Sequence, residues 1–436
     1  MVADTRSLWA PRAWVQGRWC DAVRLGVAAD GTWSEVTVGA PPDRLTALPG
    51  PVLPGLVNAH SHAFQRAFVG MAEQRSSEHD DFWSWRDRMY GVALTITPEQ
   101  LHQVATALYR ELLRGGYTQV CEFHYLHHAS DGSRFADPLA MSRALVLAAQ
   151  DTGIGLTLLP VLYERAGFAA AGLRDDQRRF ATSVDDVLAL RDGVRALQAP
   201  NVNAGVAIHS LRAAKASSIL HLVERVAADA APIHVHVAEQ TGEVDDCVAA
   251  SGLRPIEWLV KHVTLDARWQ LVHATHTVAA EVDAVSASGA GVVLCPSTEA
   301  NLGDGLPDLP RWLDGAAALA IGSDSHVTRD WREEIRLLEY GQRLALRRRN
   351  VAAAPHHGEP STAARLFERL LAGGAAAAGH PAAGLQVGAR ADLLVIDSAD
   401  PALADRASSE LLDTLVFSSP TRPFAQVMVG GRWVVT

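Results

Sequence analysis

The chain has 436 residues, of which 48% are hydrophobic and 20% charged, and its formal net charge is −10. A chain of this length and composition can bury a large core, with room for one barrel-sized domain and a smaller appended one. Because acidic residues outnumber basic ones and no basic stripe is present, we expect no binding to nucleic acid or to anionic lipid. A small molecule is the expected ligand.

The cysteines and the N-terminal sequence bear on the cellular compartment. The four cysteines lie far apart with no Cys-x-x-Cys pair, which argues against a disulfide framework and a thiolate metal site. They are Cys20, Cys121, Cys247 and Cys295. The N-terminus lacks the apolar stretch of a signal peptide, and no later run approaches the ~20 apolar residues of a membrane span. We therefore expect a cytoplasmic protein without a membrane segment.

The two ends of the chain share a sequence pattern that predicts short strands separated by turns. WVQGRW and SEVTV near the N-terminus are matched by ADLLVID and FAQVMVGGRWVV near the C-terminus. Short alternating runs bounded by glycine and polar residues are typical of β-strands. We predict that residues 1–54 and 375–436 together form a small composite β-sandwich domain.

From Gly55 onward, short apolar segments alternate with longer helical patterns, as in repeated β-α units around a parallel sheet. Eight such segments occur, at 54–60, 118–125, 156–163, 203–210, 232–239, 270–276, 291–297 and 319–325. Eight units predict an α/β fold, a (β/α)8 TIM-type barrel over residues 55–374, with its active site at the carboxyl ends of the strands. Polar residues gather at those ends.

The alanine- and glycine-rich stretch at 370–384 admits two interpretations. Its composition is compatible with a flexible linker. Residues 361–379 also fit a helix whose small residues allow close packing. We favour the helix.

Two histidines, His60 and His62, end the first barrel segment. Side chains at i and i+2 of an extended chain project to the same face, so both imidazoles can bind one ion. A His-x-His pair alone is weak evidence in a chain with 18 histidines. Its position directly after an apolar strand strengthens the metal interpretation.

Further candidate ligands follow later strands. Of the pair that ends the fifth segment, we predict His236 as the ligand because it lies nearer the carboxyl end, and His234 as a packed, hydrogen-bonded barrel residue. The sixth segment adds His273, and the eighth ends in Asp324, a carboxylate at the barrel mouth. Three imidazoles and one carboxylate, with room for water, suit zinc or a similar first-row metal such as Fe²⁺ better than calcium or magnesium.

Two other conspicuous groups receive a structural interpretation. His124, His127 and His128 cluster in sequence, but no carboxylate is spaced to complete a second metal site. Trp83 and Trp85 are interpreted as a lid packed over the pocket.

These features together resemble the amidohydrolase superfamily, with His-x-His after the first strand, histidines after the fifth and sixth, and aspartate after the eighth. In binuclear members a carboxylated lysine on the fourth strand bridges two metals. The fourth segment of this chain, NAGVAIHSLRA, has no lysine. The resemblance therefore implies a single metal per subunit, bound by His60, His62, His236 and Asp324.

Within the deaminase branch of that superfamily, the chain resembles the family of N-formimidoyl-L-glutamate deiminases. Six segments carry the match: HSHAFQRAFVGMAE at 60–73, FWSWRDRMY at 82–90, HSLRA at 209–213, HVHVAEQTGEVDDC at 234–247, CPSTEANLGDGLP at 295–307 and GSDSHV at 322–327. The resemblance implies hydrolysis of N-formimidoyl-L-glutamate to N-formyl-L-glutamate and ammonia in histidine degradation. It also implies a homodimer.

The chemistry of such a site assigns three roles. Zinc lowers the pKa of a bound water to near ~7, so hydroxide is available at neutral pH. Glu239 is expected to accept a proton from that water and pass it to the departing nitrogen. His273 is expected to polarise the water and to stabilise charge on the tetrahedral intermediate. Asp324 is both a ligand and a candidate proton acceptor.

A substrate with two carboxylates needs guanidinium groups, because arginine binds carboxylates bidentately. Arg212 and Arg86 are the candidates, and the resemblance supports both. It also implies substrate contacts from Gln65, Tyr125 and His209. Which arginine binds which carboxylate stays open.

Two other functions and a close substrate analogue remain alternatives. The first function is deamination of a nucleobase or nucleoside, of the cytosine, adenosine or S-adenosylhomocysteine type, but a neutral base does not need Arg86 and Arg212. The second is a scaffold that has lost the chemistry, against which the presence of every metal and catalytic candidate argues. Formimidoyl-aspartate also fits, because one methylene is not visible in a motif.

Overall fold

The structure is a computed structural model that describes residues 6–42, 45–74 and 81–436. Parts of both predicted domains lie outside the described residues: 1–5, 43 and 44 of the small domain, and 75–80 of the barrel.

The β-strands of the described residues are numbered in chain order. They are β1 (Arg6–Val15), β2 (Arg18–Val27), β3 (Trp33–Val38), β4 (Thr46–Ala47), β5 (Val52–Leu53), β6 (Leu56–Ser61), β7 (Tyr117–His124), β8 (Gly155–Leu162), β9 (Val202–Ala204), β10 (Val206–Ile208), β11 (Ile233–Val237), β12 (Trp269–His273), β13 (Gly291–Leu294), β14 (Ala318–Ile321), β15 (Leu393–Ile396), β16 (Phe424–Val429) and β17 (Arg432–Val435).

The α-helices follow the same order. They are α1 (Phe82–Ala93), α2 (Pro98–Arg114), α3 (Ala140–Thr152), α4 (Val184–Ala196), α5 (Ala216–Arg225), α6 (Thr241–Ser251), α7 (Pro255–His262), α8 (Ala279–Ser288), α9 (Pro296–Leu302), α10 (Leu309–Asp314), α11 (Trp331–Leu346), α12 (Thr362–Ala377) and α13 (Ser408–Phe417). Short 3-10 helices span Ala63–Phe68, Asp175–Phe180 and Pro355–His357. Within the described part of the chain, no helix combines the length and the apolar content that a membrane span requires.

Parallel strands from β6 to β14 close into a barrel. β6 to β8 and β11 to β14 follow one another in the sheet, β14 pairs with β6, and β10 pairs with both β8 and β11. β9 and β10 are two halves of the fourth barrel strand, separated at Gly205. Every predicted segment coincides with one of these eight positions, so the prediction of a (β/α)8 barrel is confirmed.

The barrel strands are apolar runs because both of their faces are covered. Every residue of β6, β7, β8, β11, β12 and β13 is buried. One face packs inside the barrel and the other beneath the surrounding helices, which is why strict alternation of polar and apolar residues is missing from the sequence. Polar side chains are left at the carboxyl ends, where the candidate ligands lie.

Helix α12 lies at the amino ends of the barrel strands. Its glycine Gly373 is packed so closely that an added Cβ would lie 1.9 Å from the carbonyl oxygen of Leu319. Side chains from four strands donate to the carbonyl oxygens of Ala377 and Ala378 at the end of the helix, which have no partner within it. These donors are Cys121, Thr157, Asn203 and His234. The stretch 361–379 is therefore mainly helical, as favoured, and not a linker.

A second sheet joins the two ends of the chain. Its order is β17, β16, β15, β5, β1, β2, β3, with β4 paired to β1, so its strands form one hydrogen-bonded path. Its core contains Val23, Leu25, Trp33, Leu393 and Met428. The composite β-sheet from both ends is confirmed, whereas its exact boundaries stay predictions. One helix of the C-terminal segment, α13, packs against α11 and α12.

Candidate active site

The four predicted metal ligands meet at the carboxyl ends of three barrel strands. Nε2 of His60 lies 3.1 Å from Nε2 of His62 and 2.9 Å from Nε2 of His236. Oδ1 of Asp324 lies 3.7 Å from Nε2 of His60 and 3.4 Å from Nε2 of His62. All four side chains are buried.

This donor set fits a tetrahedral metal ion. Donor atoms bound at 2.0–2.1 Å in a tetrahedron lie about 3.3 Å apart, close to the four separations given above. Among the described residues, two groups of donors that lie within 4.8 Å of one another share His60: one adds His62 and Asp324, the other His236 and His273. Nδ1 of His62 lies 2.9 Å from the carbonyl oxygen of Phe123, which leaves Nε2 free to bind the ion.

Burial keeps the histidine ligands neutral. It lowers the pKa of His60 and His236 well below the usual range, and the pKa of His62 to about 3. Neutral imidazole is the form that binds a metal. The same burial raises the pKa of Asp324 to about 7, opposed by His273, so a cation beside it would favour its ionised form.

Backbone strain accumulates at this end of the barrel. Non-glycine residues with left-handed φ include Ala238 (53°), His273 (71°), Ala274 (47°), Asp324 (45°) and His326 (67°). Each such residue costs energy that the surrounding structure must offset, and such residues concentrate at functional sites. The strain marks the loops after β11, β12 and β14 as parts of one site.

Gly322 lets two ligand-bearing strands approach each other. An added Cβ at this position would lie 2.6 Å from Cβ of His60. Any larger residue would therefore push the segment that carries Asp324 away from the histidines of β6.

The predicted catalytic residues lie beside the ligands. Nε2 of His273 is 3.8 Å from Oε1 of Glu239 and 3.8 Å from Oδ2 of Asp324. On the other side of the ring, Nδ1 of His273 is 3.3 Å from Oε1 of Glu299, which also accepts the backbone N–H of Cys295 at 2.9 Å. Glu299 thus holds a proton on Nδ1. Burial lowers the pKa of His273, but the charge of Glu239 and the hydrogen bonds to Cys295 and Glu299 outweigh it and raise that pKa well above the usual value, so the ring favours a second proton on Nε2. In that form Nε2 faces Glu239.

A cleft with an empty volume of about 540 Å³ opens onto these groups. Its walls combine aromatic, cationic and acidic side chains. They are His62, Gln65, Phe82, Trp85, Arg86, Met89, Tyr90, Tyr125, Tyr163, Phe180, His209, Arg212, His236, Glu239, His273, Thr298, Leu302 and Asp324. The five residues predicted to contact substrate are therefore all in the cleft wall.

Both predicted arginines stack on one ring. The guanidinium carbon of Arg86 is 4.6 Å from the ring centre of Trp83, and that of Arg212 is 5.4 Å from it. The Nε atom of each arginine is buried without a hydrogen-bond partner among the described residues. Unpaired buried donors of this kind can bind a carboxylate of a ligand.

Three other predicted contacts share the same wall. Nε2 of Gln65 donates to the hydroxyl oxygen of Tyr125 at 3.0 Å, whereas Oε1 of Gln65 has no partner among the described residues. The ring of His209 lies 5.6 Å from that of Tyr125 and 5.0 Å from that of His236. This places His209 between the candidate ligands and the arginines' end of the cleft.

The remaining histidine predictions concern residues outside the site. His234 is fully buried, and its Nε2 lies 2.9 Å from the carbonyl oxygen of Ala377, as expected of a barrel residue. His124, His127 and His128 belong to none of the possible metal-binding groups of the described residues.

Several site residues were not singled out from the sequence. Tyr163 follows the third barrel strand, and Tyr90 lies in the segment FWSWRDRMY, so both positions carried a signal. Phe180 and Gln177 come from the long loop after β8, where no motif points to them. Glu299 forms a further possible metal-binding group with His273 and Cys295, but its hydrogen bonds already explain its position.

The chain is similar to several known proteins. Residues 52–434 match the amidohydrolase family. The chain is 46% identical to formimidoylglutamate deiminase of Pseudomonas aeruginosa over 430 residues, which are 98% of this chain and 94% of that protein. The crystal structure of an amidohydrolase from Brucella melitensis has a TM-score of 0.92 at 40% identity, covering 99% and 94% of the two chains. An adenosine deaminase from Xanthomonas campestris with bound zinc shares the fold, at a TM-score of 0.79 and 21% identity over 99% and 92% of the chains.

Proposed function

Since the chain belongs to the amidohydrolase family and is therefore a hydrolase of carbon–nitrogen bonds, we propose that it hydrolyses N-formimidoyl-L-glutamate to N-formyl-L-glutamate and ammonia. The observation that carries the proposal is the pair of guanidinium groups of Arg86 and Arg212 in the cleft that also holds His62, His236 and Asp324. The substrate has an amidine-like group at one end and two carboxylates at the other. The carboxylates of Asp324 and Glu239 suit the amidine-like group, and the guanidinium groups of Arg86 and Arg212 suit the two carboxylates.

Zinc is the proposed metal, one ion per subunit, bound by His60, His62, His236 and Asp324. Neutral imidazoles and a carboxylate at tetrahedral separations are ligands that zinc prefers, and Fe²⁺ or another first-row metal accepts the same donors. When bound, the ion supplies a water acidified to a pKa near ~7.

Glu239 is proposed to move the protons of the reaction. Its carboxylate accepts a proton from the attacking water and delivers it to the terminal nitrogen of the formimidoyl group. Asp324 accepts the remaining proton of the oxygen as the carbonyl bond forms, and this proton leaves with the ammonia. The bond between carbon and that nitrogen breaks, ammonia leaves, and the oxygen of the water becomes the formyl oxygen. His273, 3.8 Å from Glu239, stabilises the charge that develops between addition and departure.

The formimidoyl group is cationic when protonated, so carboxylates should face it. Asp324 and Glu239 supply these at the inner end of the cleft, and Oε1 of Gln65 can accept one of its N–H groups. At the other end, Arg86 and Arg212 each offer a fork of donors to one carboxylate. A nucleobase or nucleoside has no carboxylate for the Nε donors of these arginines, which are buried without a partner among the described residues, and this disfavours that alternative.

Three other features remain predictions, of which the cytoplasmic location follows from the cysteines and the N-terminal sequence and the other two from the resemblance. They are the place in histidine degradation, the cytoplasmic location and the homodimer. A scaffold without activity is disfavoured because all metal and catalytic candidates lie together in the cleft.

The test is ammonia release by the metal-loaded protein. We expect turnover of N-formimidoyl-L-glutamate, weaker turnover of formimidoyl-aspartate, and none of cytosine, adenosine or S-adenosylhomocysteine. Turnover of cytosine, adenosine or S-adenosylhomocysteine, with no turnover of N-formimidoyl-L-glutamate, would overturn the proposal. Metal analysis of the same preparation should find about one zinc or first-row ion per chain.

Analogues with one carboxylate replaced by a carboxamide would assign the arginines. Arg86→Gln should raise KM for the full substrate but change little for the analogue that lacks its partner carboxylate, and Arg212→Gln should show the opposite preference. Arg343→Gln is the matched control, because this arginine also stacks on aromatic rings, at 5.1 Å from Tyr340 and Phe417, but on α11 outside the cleft.

A further inference from the structure

A buried carboxylate, Glu122, lies behind the histidines of β6 and outside the cleft wall. It belongs to β7 and is 1% exposed. Its Oε2 accepts the hydroxyl of Ser61 at 2.7 Å and that of Tyr109 at 3.4 Å, and its Oε1 accepts the backbone N–H of Ala63 at 2.5 Å. Ser61 is the residue between the two histidine ligands, so Glu122 holds the backbone of the His-x-His segment at two points.

A chain of hydrogen bonds continues from Ser61 to the strand that carries Asp324. Nε2 of His326 lies 3.4 Å from the hydroxyl of Ser61, and Nδ1 of His326 lies 2.9 Å from the hydroxyl of Ser323. Asn58 then closes the chain: its amide nitrogen donates to the Ser323 hydroxyl at 2.7 Å, and its amide oxygen accepts the Ser323 N–H at 2.9 Å.

The two hydrogen bonds of Asn58 determine the donor and the acceptor in every other hydrogen bond of this side-chain network. The amide oxygen of Asn58 is fixed by the backbone N–H of Ser323, so its nitrogen must donate to the Ser323 hydroxyl. That hydroxyl therefore donates onward to Nδ1 of His326, whose proton is then on Nε2. Nε2 in turn donates to Ser61, and the Ser61 hydroxyl donates to Glu122.

All of these hydrogens point towards Glu122, which is the pattern that an ionised carboxylate requires. Among the described residues, Glu122 has no arginine or lysine partner to balance that charge. Burial raises its pKa to about 8, and its three hydrogen bonds oppose the rise. A cation held by the neighbouring histidines would supply the missing positive charge.

We propose that Glu122 is a positioning residue of the metal site, which through Ser61 and His326 fixes the His-x-His segment relative to Asp324 and balances the charge of the bound ion. The proposal rests on the metal site of the proposed function. The backbone joins the two segments at the ligands themselves: the N–H of Asp324 donates to the carbonyl oxygen of His60 at 3.0 Å, and the N–H of His62 donates to that of Asp324 at 3.2 Å. The side-chain network is a second connection between the same two segments, and it fixes Ser61 and Ser323 directly behind the ligands.

Metal binding measured without substrate tests this role. Glu122→Gln removes the negative charge and puts an NH₂ where Oε2 accepts the hydroxyls of Ser61 and Tyr109, or where Oε1 accepts the N–H of Ala63, so the directions of these hydrogen bonds no longer match. We expect the dissociation constant for Zn²⁺, measured by competition with a chromophoric chelator, to rise about 10- to 100-fold. The visible absorption of the Co²⁺-loaded variant should also change, because the ligand geometry relaxes.

Glu339→Gln is the matched control. Glu339 is also a fully buried carboxylate, and it accepts the backbone N–H groups of Val351 and Ala352 at 2.8 and 3.0 Å, but it touches no residue of the site. This variant should lose stability and keep the wild-type affinity for Zn²⁺. Equal affinity in Glu122→Gln and wild type would overturn the role of Glu122.

A second variant covers the case in which Glu122→Gln does not fold. Ser61→Ala removes one hydroxyl and leaves the carboxylate in place, and it should weaken Zn²⁺ binding in the same direction by a smaller factor. Unchanged affinity and an unchanged Co²⁺ spectrum in Ser61→Ala would then overturn the proposal. A wild-type protein that binds no divalent ion would instead overturn the metal site itself.

Discussion

Arg86 and Arg212 come from α1 and from the loop after β10, yet their guanidinium groups pack against the same indole ring, at 4.6 and 5.4 Å from the centre of Trp83. Two like charges so close together repel each other. The electron-rich ring that both groups contact offsets part of that cost, as does Asp87, whose Oδ1 lies 3.3 Å from a terminal nitrogen of Arg86, and a dicarboxylate ligand would offset more. Trp83 is therefore a positioning residue for both arginines.

We expect Trp83→Leu to raise KM for N-formimidoyl-L-glutamate about tenfold, since its partly buried ring makes two cation–π contacts of about 0.5–1 kcal/mol each. The kcat value should change less, because Trp83 does not contact the metal ligands or Glu239. Steady-state kinetics with ammonia detection measures both. Phe417→Leu, which removes a ring 5.1 Å from Arg343 outside the cleft, should leave KM unchanged. A fall in kcat alone would contradict this role for Trp83.

Gln177 supports the cleft wall beside Arg86, whose guanidinium carbon is 5.5 Å from the ring centre of Tyr90. Its Nε2 donates to the hydroxyls of Tyr90 at 3.2 Å and Tyr163 at 3.0 Å. Removing both bonds in Gln177→Leu should raise KM about fivefold, which corresponds to about 1 kcal/mol of lost orientation. Gln342→Leu is the control, because Gln342 is also buried and donates to the carbonyl of Pro307, away from the cleft. Equal KM values in both variants would show that Gln177 has no part in substrate binding.

The fold was predictable because every barrel strand follows the same rule. Strands buried on both faces are apolar runs, and their carboxyl ends carry the polar residues. His60 and His62 were predictable as a pair because residues at i and i+2 share a face of a strand. His236 was chosen over His234 because it lies nearer the carboxyl end of β11. His234 is hydrogen-bonded to the carbonyl oxygen of Ala377.

Other parts of the site depend on contacts between distant segments and left no local pattern. Gln177 reaches Tyr90 across 87 positions of sequence, and no spacing rule connects them. Glu122 lies in a fully buried strand, and the three hydrogen-bond donors that satisfy its carboxylate come from other segments of the chain. The packing of α13 on the barrel helices was also hidden, because its position follows from the tertiary arrangement and not from its own sequence.

Glu299 is expected to act through His273. It is 2% exposed, lies 3.3 Å from Nδ1 of His273 and is absent from the cleft wall. Glu299→Gln should lower kcat at least about tenfold, because a neutral amide replaces the carboxylate whose hydrogen bond raises the pKa of His273. KM should stay near the wild-type value. Glu281→Gln, which changes a buried carboxylate paired with Arg254 outside the cleft, should leave kcat unchanged. A rise in KM with normal kcat would assign Glu299 to substrate binding instead.

His127 should make the stability of the protein depend on pH. Burial lowers its pKa to about 3, so below its usual value of 6.5 the unfolded chain takes up a proton that the folded chain does not. The stability that it contributes is complete above pH 6.5 and is lost as the pH falls towards 3. Between pH 7.5 and 5.0, wild type should therefore lose about 2 kcal/mol more of its unfolding free energy than His127→Leu. Denaturant titrations at both pH values, with excess metal, measure this difference. The exposed His356 provides the control variant His356→Gln, which should follow wild type, and a His127→Leu protein with the wild-type pH dependence would contradict a buried neutral imidazole.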